Sequence, residues 1–294
     1  MSSSFPLLRL PRLVLCEIFK SLNIEEKIKL SFCSRKISTQ IYNARLYSQK
    51  VIVDLNMVYQ GIKVCSENYR DSIKISTYPD FWKRHNSNTE QFSIECRGFL
   101  SAIEHLLKIF QCKFSTTICH CDSDLYQPTI SMLFDLQVEF KKLIIELNGS
   151  KNQILLWNQI SKKFELIEDV VIFSAMNQFT PVFASWPQNI GITNSAWFTL
   201  EYFLACTSTR IILDGSHLGN EDLDIILKNW KTGGFRNLNY LRIHSQRITN
   251  IGAIILGMSL SELEGKVIQT DDGLKKATIT TSFQSIEMSV TRFE

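Results

Sequence analysis

The chain has 294 residues, 45% apolar, 21% charged and 11% aromatic, which is long enough for a sizeable core and matches a folded protein rather than a disordered one. A formal charge of +3, with basic residues no denser than the pairs Lys141-Lys142, Lys162-Lys163 and Lys275-Lys276, excludes a general electrostatic grip on nucleic acid or membrane. Eight cysteines without the spacing of a small secreted framework imply a reducing compartment, and no stretch approaches the roughly 20 apolar residues of a membrane span.

Arg9 and Arg12 interrupt the first apolar run, so the N-terminus does not read as a signal peptide. Pro6 and Pro11 stop any helix running through, and a helix starts near Pro11 or after it. From there Val14, Leu15, Ile18, Phe19 and Leu22 share one helical face. Asn23 can cap a short second helix, with Glu25 and Glu26 in its positive first turn and Ile28, Leu30 and Cys33 following. Ser34 can cap a third, which buries Ile37, Ile41 and Leu46 and leaves Arg35, Lys36 and Arg45 in water.

Three such helices are too small for an independent core. Leu10, Pro11, Val14, Leu15 and Ile18 supply more apolar surface than they can hide among themselves, the condition for helix-in-groove binding. The run Leu10-Pro11, Val14-Leu15, Ile18-Phe19, Leu22, then Glu25 to Leu30, then Ser31-Phe32-Cys33-Ser34-Arg35-Lys36 and Ile41, resembles an F-box. That resemblance covers residues 5 to about 48 and implies a three-helix module that binds the Skp adaptor and, through it, the cullin of an SCF-type ubiquitin ligase. By motif position it assigns adaptor binding or module packing to Leu10, Pro11, Val14, Leu15, Ile18, Leu22, Leu30 and Cys33. A helical cap over the end of a larger domain would use the same amphipathic pattern, and the sequence leaves that alternative open.

Beyond the helices the pattern turns to strands at Val51–Leu55, Ser72–Ile75 and Phe92–Ile94, and returns to helix over 98 to 110 with Phe99, Ile103, Leu106, Leu107 and Phe110. Leu143–Asn148 reads as a strand followed by a helix from Ile154 to Phe164, and Val170–Phe173 as another strand. Ile211 and Leu213 then align with Leu241 and Ile243, and His217-Leu218 with Arg247-Ile248, all at an offset of 30. Asn220 and Asp222 can cap the helix between them, which carries Leu223, Ile226, Leu227 and Trp230 and closes at Gly233-Gly234. Strand, turn and helix at such intervals suit a leucine-rich-repeat-like stack, uneven because the steps from 143 to 170 and from 170 to 211 differ. Ala277–Thr281 and Ser285–Thr291 alternate in character like a closing β-hairpin.

Residues 194 to 245, with Trp197, Arg210–Ser216, Leu218, Asn220, Asp222-Leu223, Leu227, Trp230, Leu238 and Tyr240-Leu241, resemble the F-box-associated region of the nematode-type F-box families. Asp272-Gly273 and Lys276–Ile279 resemble that family's tail. The fold class is therefore α+β, an α/β repeat-like chain with an F-box at 4–48 and an irregular leucine-rich-repeat-like β/α domain at 49–294, the associated region spanning about 190–290. What the two resemblances imply is recruitment of a protein substrate for ubiquitination in the cytoplasm or nucleus.

Catalytic and metal readings find little support. Cys112, Cys119, His120 and Cys121 hold four zinc-type ligands, but their spacing matches no usual pairing and they read as loop cysteines. Nucleophile elbow, phosphate loop and His-Glu-x-x-His patterns are missing, and the histidines at 85, 105, 120, 217 and 244 are scattered. No catalytic residue, metal or cofactor is assigned. The five tryptophans, Trp82, Trp157, Trp186, Trp197 and Trp230, read as core, although Trp82 and Trp186, each near a proline, could also line a recognition surface. A non-ligase scaffold, or an enzyme or zinc-stabilised domain whose site has no familiar motif, remain the alternatives.

Overall fold

The computed structural model describes residues 7–44, 50–57, 59–68, 70–76, 92–93, 98–118, 126–147, 151–174, 181–250 and 254–292. Expectations at Arg45, Leu46, Trp82, His85, Ile94, Cys119, His120, Cys121 and Asn148 lie outside them. The chain divides into two compact units, one holding the described residues up to Thr117 and from Tyr126 to Lys141, the other Ile118 and those from Lys142 onward.

The first unit opens with a 3₁₀ turn, Leu7–Arg9, and three helices: α1 (Arg12–Ser21), α2 (Ile24–Cys33) and α3 (Arg35–Asn43). Pro11 stands at the N-terminus of α1, as its fixed φ requires. Asn23 caps α2 with a reciprocal pair, its side chain accepting from the Glu26 N–H at 2.8 Å while the Glu26 carboxylate accepts from the Asn23 N–H at 2.9 Å. Helices α1 and α2 are each 10 residues long. Ser34 sits at the start of α3 but makes no side-chain cap. Leu15, Phe19, Ile24, Ile28 and Ile41 form the core these helices share.

Strands β1 (Lys50–Asn56), β2 (Gly61–Ser66), β3 (Ser72–Ser76) and β4 (Phe92–Ser93) follow, then helix α4 (Phe99–Ile109), strand β5 (Gln111–Ile118) and helix α5 (Tyr126–Asp135). Their order is β5-β1-β2-β3-β4, with β1 parallel to β5 and antiparallel to β2. Strand β2, built on Ile62, Val64 and Cys65, was not foreseen. Neither was β5, and this corrects the reading of Cys112 as a loop residue. Its thiol lies against the carbonyls of Leu106 and Phe110, 3.7 Å from each, and burial pushes it up to about 12. A thiol held protonated in that way is a poor metal ligand.

The second unit contains β6 (Phe140–Leu147, from Lys142 on), α6 (Lys151–Ile160), a 3₁₀ segment Ser161–Leu166, β7 (Ile167–Ser174), β8 (Asn189–Thr193), α7 (Leu200–Ala205), β9 (Arg210–Asp214), α8 (Asn220–Lys231), β10 (Tyr240–His244), α9 (Leu260–Leu263), β11 (Val267–Gln269), β12 (Lys275–Ser282) and β13 (Ser285–Arg292). In the sheet β7, β8, β9 and β10 run parallel as successive neighbours, and β10 then pairs antiparallel with β13 of the closing hairpin. Ile211 pairs with Leu241 and Leu213 with Ile243, the register of the 30-residue offset. The large step expected between strands at 170 and 211 is split by β8, which pairs Asp169 with Asn189 and Asn189 with Arg210.

Alternation places Val170, Ile172, Ile190, Ile192, Ile211, Leu213, Leu241 and Ile243 on one buried face of this sheet. Between β9 and β10, α8 contributes Leu223, Ile226, Leu227 and Trp230, all buried, the apolar cover that such a parallel layer needs. Gly219, not Asn220, is the N-cap of α8, and its N–H donates to the Asp222 carboxylate at 2.8 Å. Asn220 is the first helical residue and instead ties the helix to the next turn, donating to the Thr249 carbonyl at 2.6 Å. The helix stops where Gly233 takes a φ of +90° and Gly234 leaves no room for a Cβ against Asn229.

Candidate functional site

Two surfaces emerge from this geometry, one in each unit. The first is the outer side of α1. Helical rotation turns Leu15 and Phe19 inward, and the same rotation leaves Leu13 81% and Val14 44% exposed, with Pro11 exposed beside them. Leu10, Ile18, Leu22 and Leu30 are half-buried and Cys33 is exposed. Of the positions assigned to adaptor binding, only Leu15 is buried within the helices' own core. Leu13 lies off the apolar stripe of α1, so helical periodicity does not point to it. Its signal was there nonetheless: a large aliphatic residue on what amphipathic spacing makes the wet side of a helix.

This helical module is joined to α4 by a specific contact. The Ser31 hydroxyl donates to the Ile28 carbonyl at 2.8 Å, leaving its oxygen to accept from the His105 Nε2–H at 3.0 Å, and the Phe32 ring lies 4.1 Å from the imidazole. Burial, and then the charge of Lys108, draw His105 down to about 4 from its ordinary 6.5. Because the folded state binds this proton less tightly than the unfolded one, the neutral ring's contribution is complete above 6.5 and is lost as pH falls toward 4. We expect the thermal midpoint of the full chain to drop across that window. His105→Gln, which keeps a donor and cannot be charged, should flatten the drop when the midpoint is followed by circular dichroism.

The second surface is the open face of the β7–β10 sheet, where the residues between the buried ones emerge. In register across the strands stand Asp169, Asn189, Arg210 and Tyr240, and next to them Val171, Gly191, Ile212 and Arg242. The Asn189 amide donates to Asp169 at 2.7 Å. The Arg210 guanidinium lies 4.0 Å from the centre of the Tyr240 ring. Arg242 is shared at longer range between Asp214 at 3.9 Å and Glu287 at 3.7 Å, and the Tyr240 hydroxyl donates to Glu287 at 3.2 Å. Partial burial and the neighbouring Glu287 push the Tyr240 hydroxyl up, so it stays a donor at neutral pH. None of these residues was singled out from the sequence as a surface group, because an open sheet face carries no motif.

Aromatic residues support this unit from within. Phe183 stacks on Trp186 with centroids 4.3 Å apart, meets the edge of Trp157 at 5.3 Å, and belongs to the same cluster as Trp197, Phe198 and Tyr202. Trp157, Trp197 and Trp230 are buried, as read from the sequence, and Trp186 is half-buried within the cluster. Among the described residues no group of His, Cys, Asp and Glu is arranged to hold a metal ion, and no helix is long and apolar enough to cross a membrane. His217 is exposed and His244 half-buried beside their strands.

Comparison with protein families finds two matches. A model of the F-box domain covers residues 7–49, and a model of the family described as F-box associated covers residues 183–243. The first coincides with α1 to α3, and the second runs from the aromatic cluster through β10. No curated protein and no solved structure matches the chain. The chain therefore carries an F-box domain followed by an F-box associated region.

Proposed function

We propose that this pairing makes the chain the substrate-recognition subunit of an SCF-type cullin ubiquitin ligase. The F-box holds the Skp adaptor, and through it the cullin, while the domain from residue 49 onward holds a protein target. The observation that carries the reading is the exposed aliphatic pair Leu13 and Val14 on a helix of the F-box match, apolar surface that folding leaves uncovered. Leu10, Pro11, Ile18, Leu22, Leu30 and Cys33, half-buried or exposed, are the further adaptor-facing residues we assign.

On this reading the chain is not an enzyme. It contributes position and effective concentration, and the transfer chemistry belongs to other subunits. Successive parallel strands in matched register support reading the second domain as an irregular leucine-rich-repeat-like stack whose open face receives the target. Reduced cysteines at 16, 33, 65, 112 and 206 among the described residues suit work in the cytoplasm or nucleus. The test is co-expression of the full chain with a Skp adaptor, followed by size-exclusion chromatography. A single complex that then takes up a cullin is the expected result, and a chain that elutes apart from the adaptor overturns the proposal.

A further inference from the structure

The open face of the parallel sheet contains a hollow. Gly191 is in the middle of β8 with Val171 on one side and Ile212 on the other, both half-buried, and a Cβ built on it would meet nothing within 4 Å. Its φ is not in the left-handed region, so the backbone does not require glycine there. Glycine within a strand weakens it and marks places where another chain or ligand comes close. Phe173, two residues beyond Val171 on the same face, is 43% exposed and adds an aromatic wall.

Arg210 stands diagonally across from this hollow, two residues before Ile212 on the same face. The Tyr240 ring holds its guanidinium, and among the described residues no carboxylate pairs with it. Its neighbour Arg242 already lies between two acids, Asp214 and Glu287. The hollow is thus apolar at its floor and bordered by a cation whose charge the described chain leaves unanswered, a surface complementary to one large apolar side chain with a carboxylate close by.

Building on the receptor reading above, we propose that the Gly191 hollow and Arg210 together seat an extended segment of the target protein, which inserts a large apolar side chain between Val171 and Ile212 and sets an Asp or Glu against Arg210. The hollow would do for the target what a pocket does for an anchor residue. Arg210, pre-placed by Tyr240, loses little freedom on pairing.

Phage-displayed random dodecapeptides selected on the purified full chain test this. Enriched sequences should carry a large apolar residue with Asp or Glu within a few positions. Binding of a representative synthetic peptide should fall at least about tenfold in Gly191→Ile, which fills the hollow with a residue suited to strands, and by a similar factor in Arg210→Gln. Gly191→Ile should melt at or above the temperature of the parent chain; should it misfold, Arg210→Gln decides alone. Failure to enrich any sequence family, enrichment of sequences without the apolar and acidic pair, or undiminished binding in either folded variant overturns the proposal. Titrating the same preparation with the Skp adaptor separates the two readings. Adaptor binding without peptide selection rejects the hollow alone, whereas peptide selection without adaptor binding rejects the receptor role and leaves a peptide site.

Discussion

Leu13→Asp combined with Val14→Asp should reduce the affinity of the chain for a Skp adaptor by at least about a hundredfold while leaving its thermal midpoint unchanged. Both side chains are well exposed in the free chain, so charges there meet water and cost the fold almost nothing. In a complex they would have to enter an apolar groove. Losing the burial of a leucine and a valine costs roughly 1.5–3 kcal/mol each, and desolvating two carboxylates adds to that, which together exceeds the ~2.8 kcal/mol of a hundredfold change. Isothermal titration and a melting curve on the same sample check both halves. The control is Leu15→Asp: Leu15 is 5% exposed within the helical core, so this change should remove adaptor binding by unfolding the module and should lower the melting temperature as well. Equal adaptor affinity in the Leu13 and Val14 double variant and the parent would show that this patch is not the docking surface.

The second large effect belongs to Trp230, which is fully buried on α8. Trp230→Ala should cost the second unit about 3–5 kcal/mol, because the cavity left by an indole in close-packed surroundings cannot collapse fully. Its Nε1–H is buried with no acceptor among the described residues, an arrangement that itself carries a penalty of about 1–3 kcal/mol. Trp230→Phe removes that unmet donor together with part of the ring, so it should cost much less than the alanine change. Urea unfolding followed by circular dichroism measures the ordering, and a phenylalanine variant as unstable as the alanine one would refute the account of the indole nitrogen.

Elements with strong periodicity are legible in the order of residues alone. The three N-terminal helices, α4, the strands around Val51, Ile73, Leu143, Val170, Ile211 and Leu241, and the closing hairpin all come from spacing that a helix or strand imposes on its own residues. What escaped reading was short or mixed in character. Strand β8, Asn189–Thr193, offers only Ile190 and Ile192 around a glycine, and β5 interleaves polar residues with Cys112 and Phe114. Both exist because neighbouring strands supply hydrogen-bonding edges for them, β7 and β9 in one case and β1 in the other. With β8 unread, the spacing of the parallel strands looked more uneven than it is.

The functional surfaces divide along the same line. The F-box and the associated region were recognisable from the order of residues, since the motif positions are local and the apolar surplus of α1 can be counted. Which of those apolar residues meet water was not, because Val14 and Leu15 are equally apolar neighbours on the helix and only the tertiary fold buries Leu15, as it buries Phe19, Ile28 and Ile41, while leaving Val14 exposed. The open sheet face was less visible still: Gly191, Arg210 and Tyr240 are separated by 19 and 30 residues in the chain and come together only through strand register. Periodicity within a segment is written in that segment, whereas exposure and adjacency between segments are settled by the partners they find on folding.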